Sequence, residues 1–402
     1  MKIKVMKFGG TSVATDASRT ILVDKIRQNV QNGYKVIAVV SAMGRLGQPY
    51  ATDSLLGLLP SDVPENAPER DLLQSCGETI SSAVITSLLN VAKIRSLPLM
   101  GFQAGIVTDS HHGDANVLKV DKERVNALLC DYDVLVVTGF QGMSQDGFIT
   151  TLGRGGSDYT ASILGVAFDA ESIEIFTDVD GVMTADPRVV KEAKVLKEIS
   201  HSEVYQMAVD GAKVVDHKAV EFAMKAGKAL VIKNTFSEEA GTVIKDMVYD
   251  ITGKFIDKGP VFTAITSKSD MVMVSVYPEN RDISINEKMM SGLESAGVDV
   301  DMINFFTNRR LFVIHAKQYD LARKVLDHLE LKYELTQRLS KVTAIGANMR
   351  YVPSVSKSVL RALSNEDIEI LQAVETSSTV ACLVHLDQAD AAVNVLHRYY
   401  AL

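Results

Sequence analysis

The sequence predicts an α/β protein: a largely parallel sheet sandwiched by helices over roughly residues 1–245, followed by two smaller α/β modules at 260–335 and 336–402. Three observations carry this. Short β-branched runs are mostly separated by stretches of helical periodicity. Several of those runs end in small or polar residues, as strands do where open α/β sheets meet a ligand. Past "SEEAGTVIKD" the composition shifts and the chain repeats itself at an offset of 70 residues.

The strand-like runs are "KIKVMKF" from Lys2, "KVIAVVSA" from Lys35, "VLVVTGF" from Val134, "IEIFTDV" from Ile173 and "KALVIKN" from Lys228. Their exits "VSAMG", "VTGFQG" and "TDVDG" are expected to form one rim, and the site belongs there. The segment "SLLGLLPSDVPENAPERD" holds three of the nine prolines and reads as a loop or lid entering the helix "RDLLQSCGETISSAVITSLL". On that helix Leu72, Leu73, Cys76, Ile80 and Val84 keep helical spacing on one face.

In the repeat, "LESAGVDVDMI" from Leu293 lies over "LSNEDIEILQA" from Leu363, "FVIH" ending at His315 over "LVH" ending at His385, and Val325-Leu326 over Val395-Leu396. Near its start "VFTAITS" resembles "KVTAIGA" at 341–347, an extra strand for the second module.

Composition narrows the function. The chain of 402 residues carries a net charge of -8, which argues against a nucleic-acid scaffold, and it has no apolar run of membrane-spanning length. Cys76, Cys130 and Cys382 have no C-x-x-C spacing and suggest neither a disulfide framework nor a zinc site. A cytoplasmic protein with no dedicated metal site is expected.

The opening strand runs through Lys7 and Phe8 into Gly9-Gly10. A glycine pair there lets the backbone approach an anion, and Lys7 adds a full charge; the alternative is a tight turn beside a solvated lysine. There is no G-x-x-x-x-G-K-[ST] and no G-x-G-x-x-G opening a helix, so any phosphate cradle is of another kind. A second candidate is "TTLGRGGSDYTASILG", where glycines frame Arg154 ahead of Ser157 and Asp158. Arg154 suits a carboxylate held by two parallel hydrogen bonds, or is an ordinary surface arginine. Asp158 reads equally as a helix cap. Gly77 interrupts a good helix, which implies a close approach to its backbone and leaves Glu78 to receive an ammonium group, against the alternative of a solvated face. Asp178, Asp180 and Asp186 in "FTDVDGVMTADPR" lack the spacing of a calcium loop.

Taken together and in this order, "KFGGTS", "VSAMG", "SCGETISS", "GFQG", "TTLGRGGSD", "FTDVDGVMTADPR" and "GAKVV" closely resemble the aspartate kinases of the amino-acid kinase superfamily. "YATDSLL" with "SCGETISS" looks most like the diaminopimelate-sensitive type. The resemblance implies an amino-acid kinase fold followed by two ferredoxin-like ACT modules, and transfer of the ATP γ-phosphate to the side-chain carboxylate of L-aspartate. It assigns catalysis to Lys7 and Asp158, and substrate contacts to Ser41, Thr52, Glu78, Arg154 and Asp158. Nucleotide contacts fall on Lys7, Phe8, Gly9, Gly10, Thr177, Asp178, Asp180, Met183, Thr184, Ala185, Asp186, Pro187, Arg188 and Lys213. Mg2+ would ride mainly on the ATP phosphates. A homodimer through the ACT modules, with amino-acid effectors, is implied as well.

Three stretches depart from the family pattern: "GAKVVDHKAV", "VIKNTFSEEAGT" and "IGANMRYVPSVSKSVL", the last placing Arg350 and Tyr351 where smaller residues are common. Met247 is a candidate internal start for a separate regulatory subunit. The rival readings are a kinase for glutamate or acetylglutamate, and a catalytically silent effector sensor.

Overall fold

The structure, a computed structural model, describes residues 1–44, 46–212, 214–246, 261–278, 284–347, 349 and 354–402. Lys213, Met247, Arg350 and Tyr351 lie outside the described residues. By its contacts the chain divides into two compact units: Met1–Val182 with Val195–Ala208 and Lys213–Thr252, and Met183–Lys194 with Val209–Ala212 and Gly253–Leu402.

In the first unit an eight-stranded sheet runs in the order Glu198–Ile199, Thr242–Ile244, Leu230–Asn234, Ser172–Thr177, Ile3–Phe8, Lys35–Val40, Val134–Thr138, Ser96–Leu99. Every pairing is parallel except that between Leu230–Asn234 and Thr242–Ile244. The five strands read from sequence are consecutive at its centre, where layers on both faces select unbroken apolar runs such as the fully covered Val36–Val40. The edges escaped that reading because they are short or polar, as in Glu198–Ile199 and the proline-bearing Ser96–Leu99. Asp16–Gln31 starts from a capping box in which Thr15 and Ser18 exchange side-chain and backbone hydrogen bonds.

The helix Pro68–Val91 turns a largely polar face inward. Its buried residues are Asp71, Ser75, Gly77, Glu78, Ser81, Ser82, Ile85, Thr86 and Leu89, while Leu72 is 56% exposed and Leu73, Cys76, Ile80 and Val84 are only half-buried. Much of this polar inner face finds partners: Ser82 donates to the Val136 carbonyl (2.8 Å) and Thr86 to that of Ser82 (2.8 Å). Gly77 behaves as expected, since a Cβ there would stand 2.8 Å from the Ala42 Cβ and 3.1 Å from the Tyr50 carbonyl oxygen. What approaches its backbone is the loop following Lys35–Val40.

The second unit holds a six-stranded antiparallel sheet ordered Asp301–Phe305, Arg310–His315, Ala264–Tyr277, Lys332–Ile345, Thr379–His385, Gln372–Glu375. Two 14-residue strands run through both repeats. Met271–Tyr277 pairs with Lys332–Leu339 in the first repeat, and Ala264–Lys268 pairs with Lys341–Ile345 in the second. "VFTAITS" therefore supplies the extra strand, and the boundary expected at 335/336 falls inside one continuous strand. The offset extends to hydrogen bonds: Gln318 Nε2 donates to the Gly297 carbonyl (3.0 Å) and Gln388 Nε2 to that of Asp367 (3.2 Å). Each repeat packs its helices on its own apolar core, around Leu293, Phe312 and Leu326 in one and Val359, Val384 and Leu396 in the other.

Candidate active site

The exits of Ile3–Phe8, Lys35–Val40 and Val134–Thr138 converge on a cavity of about 290 Å3, lined by Lys7, Gly10, Ser41, Thr52, Glu78, Arg154 and Asp158 among others, whereas the expected "TDVDG" exit is not part of its lining. It thus gathers every substrate residue expected from sequence. Lys7 is the penultimate residue of Ile3–Phe8. At Gly9 a Cβ would stand in ordinary contact with Lys7 Nζ, at 3.5 Å, so the backbone there lies beside the ammonium without a steric demand for glycine. At Gly10 a Cβ would press within 3.1 Å of the carbonyls of Ala42 and Gly44. The helix that follows is one turn, Gly10–Val13, before the longer Asp16–Gln31.

Lys7 Nζ and Asp158 Oδ1 form an ion pair of 2.7 Å, with only 12% of either side chain exposed. The cap of Gly156–Ala167 is Gly155, in the left-handed region at φ 73°, and no side chain caps that end. Asp158 sits in the first turn, where a carboxylate favours the helix dipole, and its other oxygen accepts from the Asp216 N–H (3.3 Å). Its charge is therefore spent on Lys7, not on capping. The half-buried Asp216 carboxyl is pushed up, by burial first and by the nearby Asp158 charge as well.

Arg154 stands between Gly153 (φ 77°) and Gly155 (φ 73°), exposed and with no ion pair among the described residues. A side chain at Gly153 would collide with Asp114 and one at Gly155 with Asp216. The turn is therefore narrow, and only glycine fits either side of the arginine.

Glu78 is 3% exposed. Its Oε1 accepts from the Ala42 N–H (3.0 Å), while Oε2 is buried with no hydrogen-bond partner among the described residues. Burial pushes its pKa to about 8, against the lowering effect of the backbone N–H. A buried carboxyl with one open oxygen beside a cavity is a receptor for a cation or a hydrogen-bond donor.

Beyond Lys7–Gly10, the described residues expected from sequence to contact nucleotide fall into two groups. Thr177 ends the strand Ser172–Thr177 in the first unit, Asp178 and Asp180 follow it, and Asp180 accepts from Asn234 (2.7 Å). Met183–Arg188 belongs to the second unit. There the Thr184 hydroxyl lies 2.9 Å from His397 Nε2 and accepts from the Lys194 N–H (3.0 Å), and Ala185 is in the apolar core. Arg188 pairs with Asp186 at 2.6 Å on the surface. Sequence reading overlooked Phe140, Gly44 and the Ala42 N–H around the cavity, and the buried Asp71. A polar stripe at 71, 75, 78 and 82, spaced for one helix face, was the available signal.

The amino acid kinase family profile matches residues 2–234, and an ACT domain profile matches 334–398. Aspartokinase 1 of Bacillus subtilis (strain 168) is 40% identical over 100% of both chains. The chain belongs to the aspartate kinases. A Geobacillus stearothermophilus aspartokinase is 34% identical, covering 100% of this chain and 98% of its own. In fold, this aspartate kinase matches E. coli aspartokinase III, solved in complex with aspartate and ADP, with a TM-score of 0.83 at 23% identity and 100% coverage of both chains. Among the described residues no helix is long and apolar enough to cross a membrane.

Proposed function

We propose that the Lys7, Glu78, Arg154 and Asp158 cavity transfers the ATP γ-phosphate to the side-chain carboxylate of L-aspartate, giving 4-phospho-L-aspartate. The observation that carries this is the buried Oε2 of Glu78, without a hydrogen-bond partner among the described residues, in the same cavity as an arginine that has no ion pair among them. Glu78 receives the α-ammonium and Arg154 grips the α-carboxylate, with Ser41 and Thr52 beside them. The attacking carboxylate, with an ordinary pKa of about 3.9, is already ionised at neutral pH and needs no base. Catalysis is then alignment and charge neutralisation. Lys7 meets the transferring phosphoryl oxygens, with the Gly9 and Gly10 amides alongside, where negative charge spreads in the transition state. Asp158 holds Lys7 by its 2.7 Å ion pair.

ATP is held by Phe8 to Gly10, by Thr177, Asp178 and Asp180, by the Met183–Arg188 run and by Lys213 in this reading. Since Thr184 and Ala185 have their side chains committed to packing, they serve through backbone groups. Among the described residues no three His, Cys, Asp or Glu side chains gather to hold a metal, and Mg2+ comes in on the nucleotide phosphates, where it neutralises charge. Residues 260–335 and 336–402 act as two ACT modules that bind amino-acid effectors and pair two chains into a homodimer in the cytoplasm. E. coli aspartokinase III has been solved with lysine and aspartate in a T-state. The test is ADP release with aspartate, glutamate or acetylglutamate as acceptor, repeated with lysine, threonine and diaminopimelate. Turnover with aspartate alone is expected; preference for another acceptor, or no turnover, would overturn the proposal.

A further inference from the structure

The carboxylate of Asp71 is fully buried and is not among the groups lining the cavity. Burying a charge is tolerated only where donors replace water, and here they converge from one place. Thr151 donates twice, from Oγ1 to Oδ1 (2.5 Å) and from its N–H to Oδ2 (3.1 Å). The Gly113 N–H lies 3.1 Å from both oxygens, and His112 Nδ1 is 2.8 Å from Oδ2. The Ala115 N–H returns to the Thr151 carbonyl (2.8 Å), so the 112–115 segment and Thr151 are joined on two sides.

Both attachments lead to Arg154. Thr151 ends the strand Ile149–Thr151, three residues before it. Asp114, next to the anchored Gly113, packs so closely on Gly153 that a Cβ there would fall 2.2 Å from its Oδ1. Asp71 thus ties down the near side of the arginine turn through the strand that enters it and through the segment packed against it.

Asp71 shares its helix with Glu78. Seven residues at 1.5 Å each put them roughly 10.5 Å apart, and at 100° per residue they return to within about 20° of the same face. One stiff helix therefore carries the ammonium receptor and the anchor of the carboxylate receptor.

We propose that Asp71 is a positioning residue that sets where Arg154 stands relative to Glu78, so that the site takes an amino acid with both its α-groups engaged. This rests on the reading that Arg154 grips the α-carboxylate. Asn in place of Asp71 keeps the shape but turns one acceptor into a donor facing donors, which loosens the turn without entering the cavity.

The test is steady-state kinetics on the full chain for Asp71→Asn, Thr151→Val and Arg154→Ala, with folding followed by circular dichroism and thermal melting. Arg154→Ala should raise the aspartate KM at least a hundredfold. Asp71→Asn should raise it at least tenfold while leaving the KM for ATP within twofold and kcat within threefold. Thr151→Val, which removes one donor and keeps the N–H, should raise the aspartate KM about threefold with ATP unaffected. A merely structural anchor would move both KM values together or lower only the folded fraction. Either result in a folded Asp71→Asn protein, or an unchanged aspartate KM, would overturn the inference. If Asp71→Asn does not fold, Thr151→Val decides by the same criterion. An unchanged aspartate KM in Arg154→Ala would instead sink the reading of the arginine and, with it, this role for Asp71.

Discussion

Glu78 in the first unit and Lys341 in the second are both buried ionisable side chains, 3% and 6% exposed, in contrasting surroundings. Lys341 sits between Asp210 (2.8 Å) and Asp301 (2.6 Å). Burial works against its charge, but the two carboxylates more than offset this and raise its pKa. Glu78 meets one backbone N–H and an open cavity, and its carboxyl is held toward the neutral form. The difference teaches how to read a buried charge: surrounded by counter-charges it stitches a scaffold, and left short of partners at a cavity wall it marks where a ligand completes the set.

The largest expected effect lies on the cavity side. Lys7→Ala should lower kcat by about a thousandfold, the scale of losing a preorganised charge in the transition state, while circular dichroism shows a folded chain. Near-normal turnover would remove lysine from the chemistry.

On the scaffold side Lys341→Ala removes the cation held between the buried Asp210 and the partly exposed Asp301, and urea unfolding should show a loss of about 3 kcal/mol. Turnover of the folded fraction should be unchanged. A loss of catalysis with no loss of stability would invert the contrast.

Glu78→Gln should separate function from stability most sharply. The aspartate KM should rise about ten- to a hundredfold, as for a lost charged hydrogen bond, while the fold becomes more stable in alkali. Because the folded pKa of Glu78 is about 8, above its ordinary value, the stability tied to the protonated form is full below about pH 4.5 and is lost as pH rises through 8. Melting temperatures should therefore fall less for Glu78→Gln than for the parent between pH 5 and 8.

The same ionisation predicts that the parent binds aspartate more tightly as pH rises toward 8, by at most about tenfold per unit, and that Glu78→Gln loses this slope. A flat KM profile in the parent would mean that Glu78 is charged before substrate arrives. Least of all, Gln388→Ala should cost about 1–2 kcal/mol, the worth of two hydrogen bonds, to the Asp367 carbonyl and from the Glu369 N–H, that pin a turn in the second repeat.

Local pattern explains what could be read in advance. The five central strands, the glycines beside Lys7 and Arg154, and the duplication at an offset of 70 are each written in neighbouring residues. In the helix Pro68–Val91 the buried face was not legible, because apolar periodicity names that face only when the interior is apolar; here the interior offers the N–H groups of Ala42, Gly113 and Thr151 to carboxylates. Asp158 had two readings until Gly155 was found at the cap position and Lys7 beside the carboxylate.

By itself the amino-acid sequence determined the strand-forming runs, the turns that only glycine can make and the family to which the chemistry belongs, because backbone preference and burial act over a few residues. Tertiary structure alone decided which polar groups meet: Lys7 with Asp158, Asp71 with the Thr151 hydroxyl, and Lys341 with Asp210 and Asp301. It also decided that Ala264–Lys268 would complete the second repeat. These partners lie tens of residues or more apart, and the strength of each pairing comes from the water that folding removes around it, which no local pattern records.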